Sequence, residues 1–227
     1  MELLSVAPLP LPGIVAVRFG RFCDKRGSFC EVYRKSDFVG HPQLAAWAGT
    51  PFVQCNESVS KAGVVRGLHF QWDPWMGKLV RCVQGRMLEV VVDIRPQSRT
   101  MGKALLYEMS SGAQATTGEW LWVPPGFAHG NVFIKSTRIQ YLCTAEYNRL
   151  GEAAISPLAE DIDWSLCDPE LKRIFDHVVS TTGLMTDKDR NGIHVRDWTT
   201  DPRATTVLST GTEQPRQGED LLQPCRS

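Results

Sequence analysis

The chain has 227 residues, of which 42% are hydrophobic, and its 25 Lys and Arg residues balance its 25 Asp and Glu residues. This length and composition suit a single globular domain with a sizeable core. With zero net charge, the protein as a whole has no positive electrostatic field to attract nucleic acid or an anionic membrane. An anionic ligand therefore needs a local cluster of basic residues.

The N-terminus lacks the features of a secretory signal, because no basic residue precedes its apolar run and prolines interrupt that run. No stretch of the chain approaches the roughly 18 apolar residues of a membrane span. The seven cysteines are an odd number without Cys-x-x-Cys spacing, which indicates neither a disulfide framework nor a zinc site. We therefore expect reduced thiols and a cytoplasmic protein.

Short apolar runs separated by Gly, Pro, Asn and Asp fill residues 14–147. In chain order they read GIVAVRF, SFCEVYR, PFVQCNES, KLVRCVQG, MLEVVVDIR, ALLYEMS, EWLWVPP, NVFIKS and RIQYLCTAEY. Their length and spacing predict hairpins in a sandwich or barrel rather than alternating strands and helices. SDFVGHPQLAAWAG, residues 36–49, is the one helical candidate in this half.

Residues 165–180, SLCDPELKRIFDHVVS, have the spacing of an amphipathic helix, with Leu171, Ile174 and Val178 on one face and Pro169 in the first turn. We expect a surface helix packed on the β structure.

The composition changes near residue 200, where the chain becomes rich in Thr, Pro, Gln and Gly. This change predicts one folded domain over residues 1–199 and a flexible tail over residues 200–227.

The stretch VVRGLHFQWDPWMGKLVRCVQG, residues 64–85, places Arg66, His69 and Lys78 within a strand-like apolar pattern. Such strands normally bury Val and Leu. Either these polar side chains are solvated on an outer face, or several strands direct them into one polar pocket.

Residues 118–133, GEWLWVPPGFAHGNVF, resemble the second motif of the cupin superfamily in the spacing of Gly118, Pro124, Gly126 and His129. The pattern predicts a strand, a Pro-Gly turn and a second strand. Metal-binding cupins also carry His-x-His and a carboxylate in their first motif, where this chain offers only His69. Two separated histidines without a further ligand do not predict a transition-metal site.

Further ordered motifs cover residues 14–195. They are RGLHFQ, GKLVRCVQG, VVVDIRPQSRT, PPGFAHGN and YLCTAEY, with DKRGSFCEVY and FVQCNES upstream and DIDW and LMTDKDRN downstream. Together they resemble the cupin-type deoxysugar-nucleotide epimerases, the dTDP-4-dehydrorhamnose 3,5-epimerase family.

The resemblance implies a mainly β fold, a cupin jelly-roll barrel with a few peripheral helices. It also implies a homodimer with exchanged N-terminal strands and no metal or organic cofactor. The implied activity inverts C3, C5 or both in a nucleotide-diphosphate 4-keto-6-deoxyhexose, with dTDP as the family's nucleotide. Arg66, His69 and Lys78 would then line a pocket inside the barrel.

The chemistry of a 4-keto sugar defines the groups needed, because the carbonyl acidifies the C–H bonds at C3 and C5. Inversion requires a base on one face, stabilisation of the enolate oxygen, and an acid on the opposite face. The resemblance assigns these roles to His69 as base with Asp189 as its partner, to Lys78 near the keto oxygen, and to Tyr141 as acid. Imidazole suits proton transfer near neutral pH.

The family's nucleotide- and sugar-binding positions fall on Arg26, Phe29, Glu31, Gln54, Asn56, Arg66, His129 and Arg190. Strand exchange would bring Arg26, Phe29 and Glu31 to the partner's site. Two departures, Cys30 and Glu146, stand where some relatives carry aromatic residues, and residues 165–183 form a longer segment than in compact members. These departures leave open which nucleotide and sugar are bound.

Other functions remain open at this point. They are a single-carbon 3- or 5-epimerase of a specialised deoxysugar pathway, a ketoisomerase that uses the same enediolate chemistry, and a non-catalytic cupin that binds a sugar nucleotide. A protein that only binds has no need of an acid and a base, so His69, Asp189 and Tyr141 together favour an enzyme. The sequence does not decide between inversion at C3, C5 or both.

Overall fold

The computed structural model describes residues 2–44 and 49–204 and consists mainly of antiparallel strands. The strands are β1 (Leu3–Pro8), β2 (Val15–Gly20), β3 (Phe22–Asp24), β4 (Gly27–Phe29), β5 (Gln54–Ser60), β6 (Val65–Gln71), β7 (Lys78–Asp93), β8 (Ala104–Ser111), β9 (Thr117–Val123), β10 (Phe127–Phe133), β11 (Thr137–Cys143) and β12 (Glu152–Ala154). The helices are α1 (Lys35–Val39), α2 (Pro169–Thr181), α3 (Asp187–Arg190) and α4 (Val195–Thr199), and Arg149–Gly151 form a 3₁₀ turn.

The long strand β7 belongs to two layers. Its first residues, from Lys78, pair with β9 and β11, whereas its later residues pair with β8 from Gly85 and with β10 from Met87. One layer has the order β1-β2-β9-β7-β11-β5 and the other β8-β7-β10-β6-β12. This arrangement is the predicted cupin jelly roll.

The crossing of β7 between layers depends on Gly85. Its φ of +109° lies in the region that glycine adopts readily, and a Cβ there would lie 2.5 Å from the backbone oxygen of Ser136. Two predicted runs, KLVRCVQG and MLEVVVDIR, therefore form one strand instead of a hairpin. The glycine that was expected to end a strand bends it instead.

Side chains alternate between the interior of the barrel and the outer face of each layer, as β10 shows. Phe127 and Phe133 join the interior apolar cluster, whereas Ala128 and Val132 pack in the outer cluster. With the same period of two, His129 and Asn131 point inward between the two phenylalanines. The interior thus combines an apolar part with a polar part.

Both outer faces are covered, which explains the near-continuous apolar stretches in the central strands. Helices α2 and α4 pack on the second layer through Phe175, Val178 and Trp198. The segment from Cys30 to Leu44 covers part of the first layer. Because both faces of β7 and β10 are buried, both strands carry apolar side chains on each face.

Helix α2 confirms the prediction for residues 165–180. Its N-cap Asp168 accepts hydrogen bonds from the backbone N–H groups of Glu170 (2.7 Å) and Leu171 (3.3 Å), and Pro169 occupies the first helical position.

Three other predictions need correction or lie outside the described residues. The strand predicted for SFCEVYR ends at Phe29, and of the helix predicted for residues 36–49 only Lys35–Val39 is formed among the described residues. Residues 45–48 lie outside the described residues, as do residues 205–227 of the predicted tail. Ala204, the last described residue, is buried, and the Arg203 guanidinium lies 4.6 Å from the Trp72 ring.

A buried carboxylate at the end of β7 binds the loop that connects β7 to β8. Asp93 is fully buried, and its oxygens accept hydrogen bonds from the Arg95 guanidinium (2.7 and 2.9 Å) and the hydroxyls of Ser98 and Thr100 (both 2.6 Å). Burial alone would raise the pKa of Asp93, but these hydrogen bonds outweigh it and lower the pKa. The buried carboxylate is fully hydrogen-bonded, so its removal leaves several partly buried donors without their acceptor.

We expect Asp93→Ala to reduce the free energy of unfolding by about 3 kcal/mol, because the substitution leaves the Arg95 guanidinium and two hydroxyls without their hydrogen-bond acceptor. Urea unfolding measures this loss. The control is Asp176→Ala on α2, which removes an exposed pair with Lys172 and should change stability by less than about 0.5 kcal/mol. Equal losses in the two variants would contradict a stabilising role for the Asp93 network.

Candidate active site

The predicted pair of His69 and Asp189 is in contact, with His69 Nε2 2.6 Å from Asp189 Oδ1 across 120 residues of sequence. His69 lies on β6 and points into the barrel, and its side chain is 29% exposed. Asp189 lies on α3, where Thr186 caps the helix by accepting a hydrogen bond from Asp189 N. The predicted contact is therefore confirmed, and the imidazole remains accessible from solvent.

The environment of Asp189 favours its ionised form. Burial raises its pKa, but the hydrogen bond and charge of His69 and the Gly67 backbone N–H together lower it below the usual value. A carboxylate held in this way orients the imidazole and stabilises it when it gains a proton. The pair has the geometry of a general base with its orienting group.

Lys78 and Tyr141 come from the opposite layer. Lys78 is the first residue of β7, and its Nζ lies 5.8 Å from the centre of the Tyr141 ring on β11. Burial lowers the pKa of Lys78. Burial also raises the pKa of Tyr141, although a hydrogen bond with Asn56 opposes this effect. The interior thus has an imidazole on one wall and an ammonium and a phenol on the other.

Strand β5 supplies a row of inward polar side chains beside Tyr141. Asn56 is paired with Tyr141 in the β5–β11 register, and Gln54 Nε2 donates to Asn56 Oδ1 at 3.0 Å. Gln54 Oε1 also accepts from the backbone N–H of Tyr147 at 2.9 Å. The structure therefore brings these two predicted binding residues together at the pocket wall.

A second pair of histidine and carboxylate lies deeper in the barrel. His129 Nδ1 is 2.5 Å from Glu89 Oε1, and Asn131 Nδ2 donates to the other oxygen of Glu89. Burial lowers the pKa of His129 well below its usual value, with smaller effects from the charges of Lys78 and His69, so the ring is neutral. His129 Nε2 is buried and finds no hydrogen-bond partner among the described residues, which leaves it available to a ligand.

The pKa of Glu89 is shifted upward, in the opposite direction to the pKa of Asp189. Glu89 is fully buried, and this burial raises its pKa to about 8, against the opposing charge of Lys78 and the hydrogen bond from Asn131. A carboxyl group with such a pKa carries a proton over much of the neutral range.

The remaining predicted residues are spread more widely. Arg66 is on β6 beside the pocket, with Nε donating to Ser60 Oγ at 2.9 Å. Arg190, next to Asp189, instead directs its guanidinium to the carbonyl oxygen of Gly183 at 3.4 Å.

Arg26 and Phe29 form no hydrogen bond or ring contact with this pocket among the described residues. Arg26 and Phe29 belong to the separate two-stranded sheet of β3 and β4, where Arg26 pairs with Asp24 at 2.6 Å and Phe29 is 70% exposed. Glu31 pairs with Arg34 at 2.6 Å. Within one chain, Arg26 and Phe29 therefore lie apart from the pocket, and their role in binding stays a prediction.

The sequence interpretation missed several polar residues of the site. Cys143 accepts a hydrogen bond from Asn56 Nδ2 at its Sγ (3.7 Å). Glu89 and Cys143 had a signal, because each stands two residues from an inward position of its strand, Val91 and Tyr141 respectively. Glu152 had none, since its strand has only three residues. Its carboxylate accepts from Lys188 Nζ at 2.6 Å and from the Tyr147 hydroxyl at 3.1 Å.

Within the part of the chain that the structure describes, no three His, Cys, Asp or Glu side chains are grouped as metal ligands. No helix of the described residues is long and apolar enough to cross a membrane.

Comparison with known proteins identifies the family. Residues 8–197 match the family model of dTDP-4-dehydrorhamnose 3,5-epimerase. The enzyme of that name from Shigella flexneri is 34% identical over 193 residues, which cover 83% of this chain and 94% of the relative.

Solved structures agree with this match. The 3,5-epimerase from Legionella pneumophila, crystallised with dTDP-4-keto-L-rhamnose, is 27% identical with a TM-score of 0.71 and covers 85% of this chain and 93% of its own. A 4-keto-6-deoxy sugar epimerase from the novobiocin gene cluster of Streptomyces spheroides is 25% identical with a TM-score of 0.71. The match covers 87% of this chain and 89% of the epimerase.

The jelly roll, the paired His69 and Asp189 and these matches define an isomerase of the cupin type that acts on carbohydrates. The chain belongs to the dTDP-4-dehydrorhamnose 3,5-epimerase family, as its motifs indicated. Its substrate class is a dTDP-linked sugar.

The raised pKa of Glu89 has a consequence for stability. The folded state retains a proton that the unfolded state releases above its usual pKa of 4.5, so this stabilisation is complete below that pH and is lost as the pH rises to about 8. We expect Glu89→Gln, which keeps the shape of the side chain, to remove this part of the pH dependence. Urea unfolding of both proteins between about pH 5 and pH 8 measures the difference.

The control is Glu160→Gln at an exposed position, which should keep the wild-type pH dependence. Identical slopes for the wild type and Glu89→Gln would show that Glu89 is ionised in the folded protein.

Proposed function

We propose that the protein inverts C3, C5 or both in a dTDP-linked 4-keto-6-deoxyhexose by removing and redelivering a proton through an enolate. The observation that carries this proposal is the 2.6 Å contact between His69 and Asp189 on one wall, opposite Lys78 and Tyr141 on the other. The family match supports the choice of substrate.

His69 is the base. Its Nε2 bonds Asp189, so Nδ1 is the nitrogen left for the substrate once the ring is oriented. When His69 takes the proton from the carbon next to the carbonyl, the ionised Asp189 stabilises the imidazolium that forms. A neutral partner in place of Asp189 would keep the orientation but lose this electrostatic stabilisation.

Lys78 stabilises the enolate oxygen. Its burial disfavours the ammonium form, but a negative enolate nearby restores the preference for the charged form. A cation in a site shielded from water acts strongly on charge that develops in the transition state.

Tyr141 delivers the proton to the opposite face. Its raised pKa keeps the phenol protonated at neutral pH, and its hydrogen bond with Asn56 favours the phenolate that remains after transfer. His129 Nε2, which is buried and has no hydrogen-bond partner among the described residues, suits a sugar hydroxyl. For the diphosphate, Arg66 offers a planar fork of donors at the pocket edge, with Arg190 as the next arginine.

Substitution of the proposed acid and base should separate proton removal from inversion. Tyr141→Phe should still exchange substrate hydrogen for deuterium in deuterated water, because His69 can return a proton to the original face. Inversion should slow by about 10²–10⁴-fold, and His69→Ala should lose both exchange and inversion. Mass spectrometry and NMR of the 4-keto sugar nucleotide measure label and configuration. Label at C3 or C5 identifies the carbons that exchange, and in the wild-type reaction the configuration at each labelled carbon identifies those that are inverted.

The matched control is Tyr107→Phe, which removes a phenol that donates to Glu119 at 2.8 Å in another part of the barrel. This control variant should invert the substrate at the wild-type rate. Full inversion by Tyr141→Phe would contradict the assignment of the acid, and label at neither carbon would contradict the epimerase proposal.

The proposal extends to a homodimer in which each N-terminal hairpin completes the partner's site. Phe22 and Phe29 are 59% and 70% exposed on the β3–β4 hairpin, which pairs only with itself among the described residues. Large exposed aromatic side chains favour burial against another protein surface. The cytoplasmic location stays a prediction, supported by the odd number of cysteines.

Mixed dimers test the shared site. Arg26→Ala and Tyr141→Phe should each be impaired alone. After mixing and subunit exchange, half of the dimers are hybrids, and one site in each hybrid carries both wild-type residues. We expect recovery of about a quarter of wild-type activity. No recovery, with exchange verified by mass spectrometry of the intact dimers, would show that Arg26 acts within its own chain.

A further inference from the structure

Gln71, the last residue of β6, lies two residues beyond His69 and is 3% exposed. Its amide makes three hydrogen bonds to backbone groups. Nε2 donates to the carbonyl oxygens of Pro74 and Glu146, both at 3.0 Å, and Oε1 accepts from the N–H of Asn148 at 2.8 Å. A buried amide used in this way holds two chain segments to one strand.

The two segments, residues 72–77 and 144–148, flank the catalytic groups. Residues 72–77 lead directly into Lys78 at the start of β7, and residues 144–148 follow β11, which carries Tyr141. Met76 from the first segment packs in one cluster with Tyr141 and Cys143. The segments therefore adjoin both groups of the wall opposite His69.

The segments are also bonded to each other. Gly77 N donates to Thr144 Oγ1 at 2.8 Å, Thr144 N donates to the Gly77 carbonyl oxygen at 3.0 Å, and Asn148 Nδ2 donates to the Asp73 carbonyl oxygen at 2.7 Å. The side-chain amide of Gln71 connects both segments to β6, the strand that carries His69.

We propose that Gln71 is a positioning residue that sets the placement of Lys78 and Tyr141 relative to His69. The inference rests on the proposed function. Without the amide, the carbonyl oxygens of Pro74 and Glu146 and the N–H of Asn148 lose their hydrogen bonds to Gln71, and the paired segments move to restore them. A displacement of about 1 Å of catalytic groups can reduce the rate about 100-fold.

The test is Gln71→Glu, which keeps the size of the side chain and replaces its donor by a group that can ionise. As a carboxylate it repels the carbonyl oxygens of Pro74 and Glu146, whereas its protonated form can donate to one of them. Burial beside two carbonyl groups raises the pKa of such a carboxyl. We expect kcat to fall about 100-fold near pH 8, and the ratio of variant to wild-type kcat to rise as the pH is lowered towards about 6.

Two further variants complete the experiment. Gln71→Met is similar in volume and cannot ionise, so a folded variant should lose activity by a ratio that does not depend on pH. Gln84→Glu, at an exposed position of β7, should retain wild-type activity at each pH. Circular dichroism and urea unfolding show which variants are folded.

The outcomes separate this inference from the proposed function. A wild-type protein without turnover overturns the proposed function and, with it, this inference. If the wild type is active, wild-type activity of folded Gln71→Glu or Gln71→Met overturns the positioning role. A loss in Gln71→Glu that is equal at all pH values also overturns it, because a structural defect alone would not follow the ionisation of residue 71.

Discussion

The whole site depends on strand β7 passing from one layer of the jelly roll to the other at Gly85. The passage places Lys78 on the wall formed with β11 and Glu89 on the wall formed with β10. A single strand thus supplies a cation to one side of the pocket and a carboxyl group to the other. Because a side chain at position 85 would collide with backbone, the position of the bend tolerates little change.

Two histidine–carboxylate pairs occupy the same interior with opposite electrostatics. Asp189 has a lowered pKa because His69 and backbone N–H groups offset its burial, and His69 keeps contact with solvent. Glu89 and His129 are buried together, and burial favours the neutral form of each. The pair near solvent can therefore exchange protons with a substrate, whereas the inner pair is suited to hydrogen bonding without net charge.

Much of the correct prediction of strands and helices rested on local sequence patterns. The short apolar runs NVFIKS and RIQYLCTAEY indicated strands, and Pro169 with the apolar spacing that follows it indicated helix α2. Predictions failed where the result depended on distant contacts. The helix predicted for residues 36–49 ends at Val39 among the described residues, and the run SFCEVYR continues beyond Phe29 without forming a strand. Cys30 and Tyr33 pack instead against the first layer.

By itself the sequence determined the class of fold and the family, and it predicted the contact between His69 and Asp189, because these depend on residue types in a fixed order along the chain. Only the tertiary structure decided that Glu89 and His129 form an inner pair, that Gln71 joins two segments beside the site, and that Arg26 and Phe29 lie on a separate hairpin. The physical reason is that burial and hydrogen bonding between residues far apart in sequence arise when the two layers close, and no local pattern encodes them.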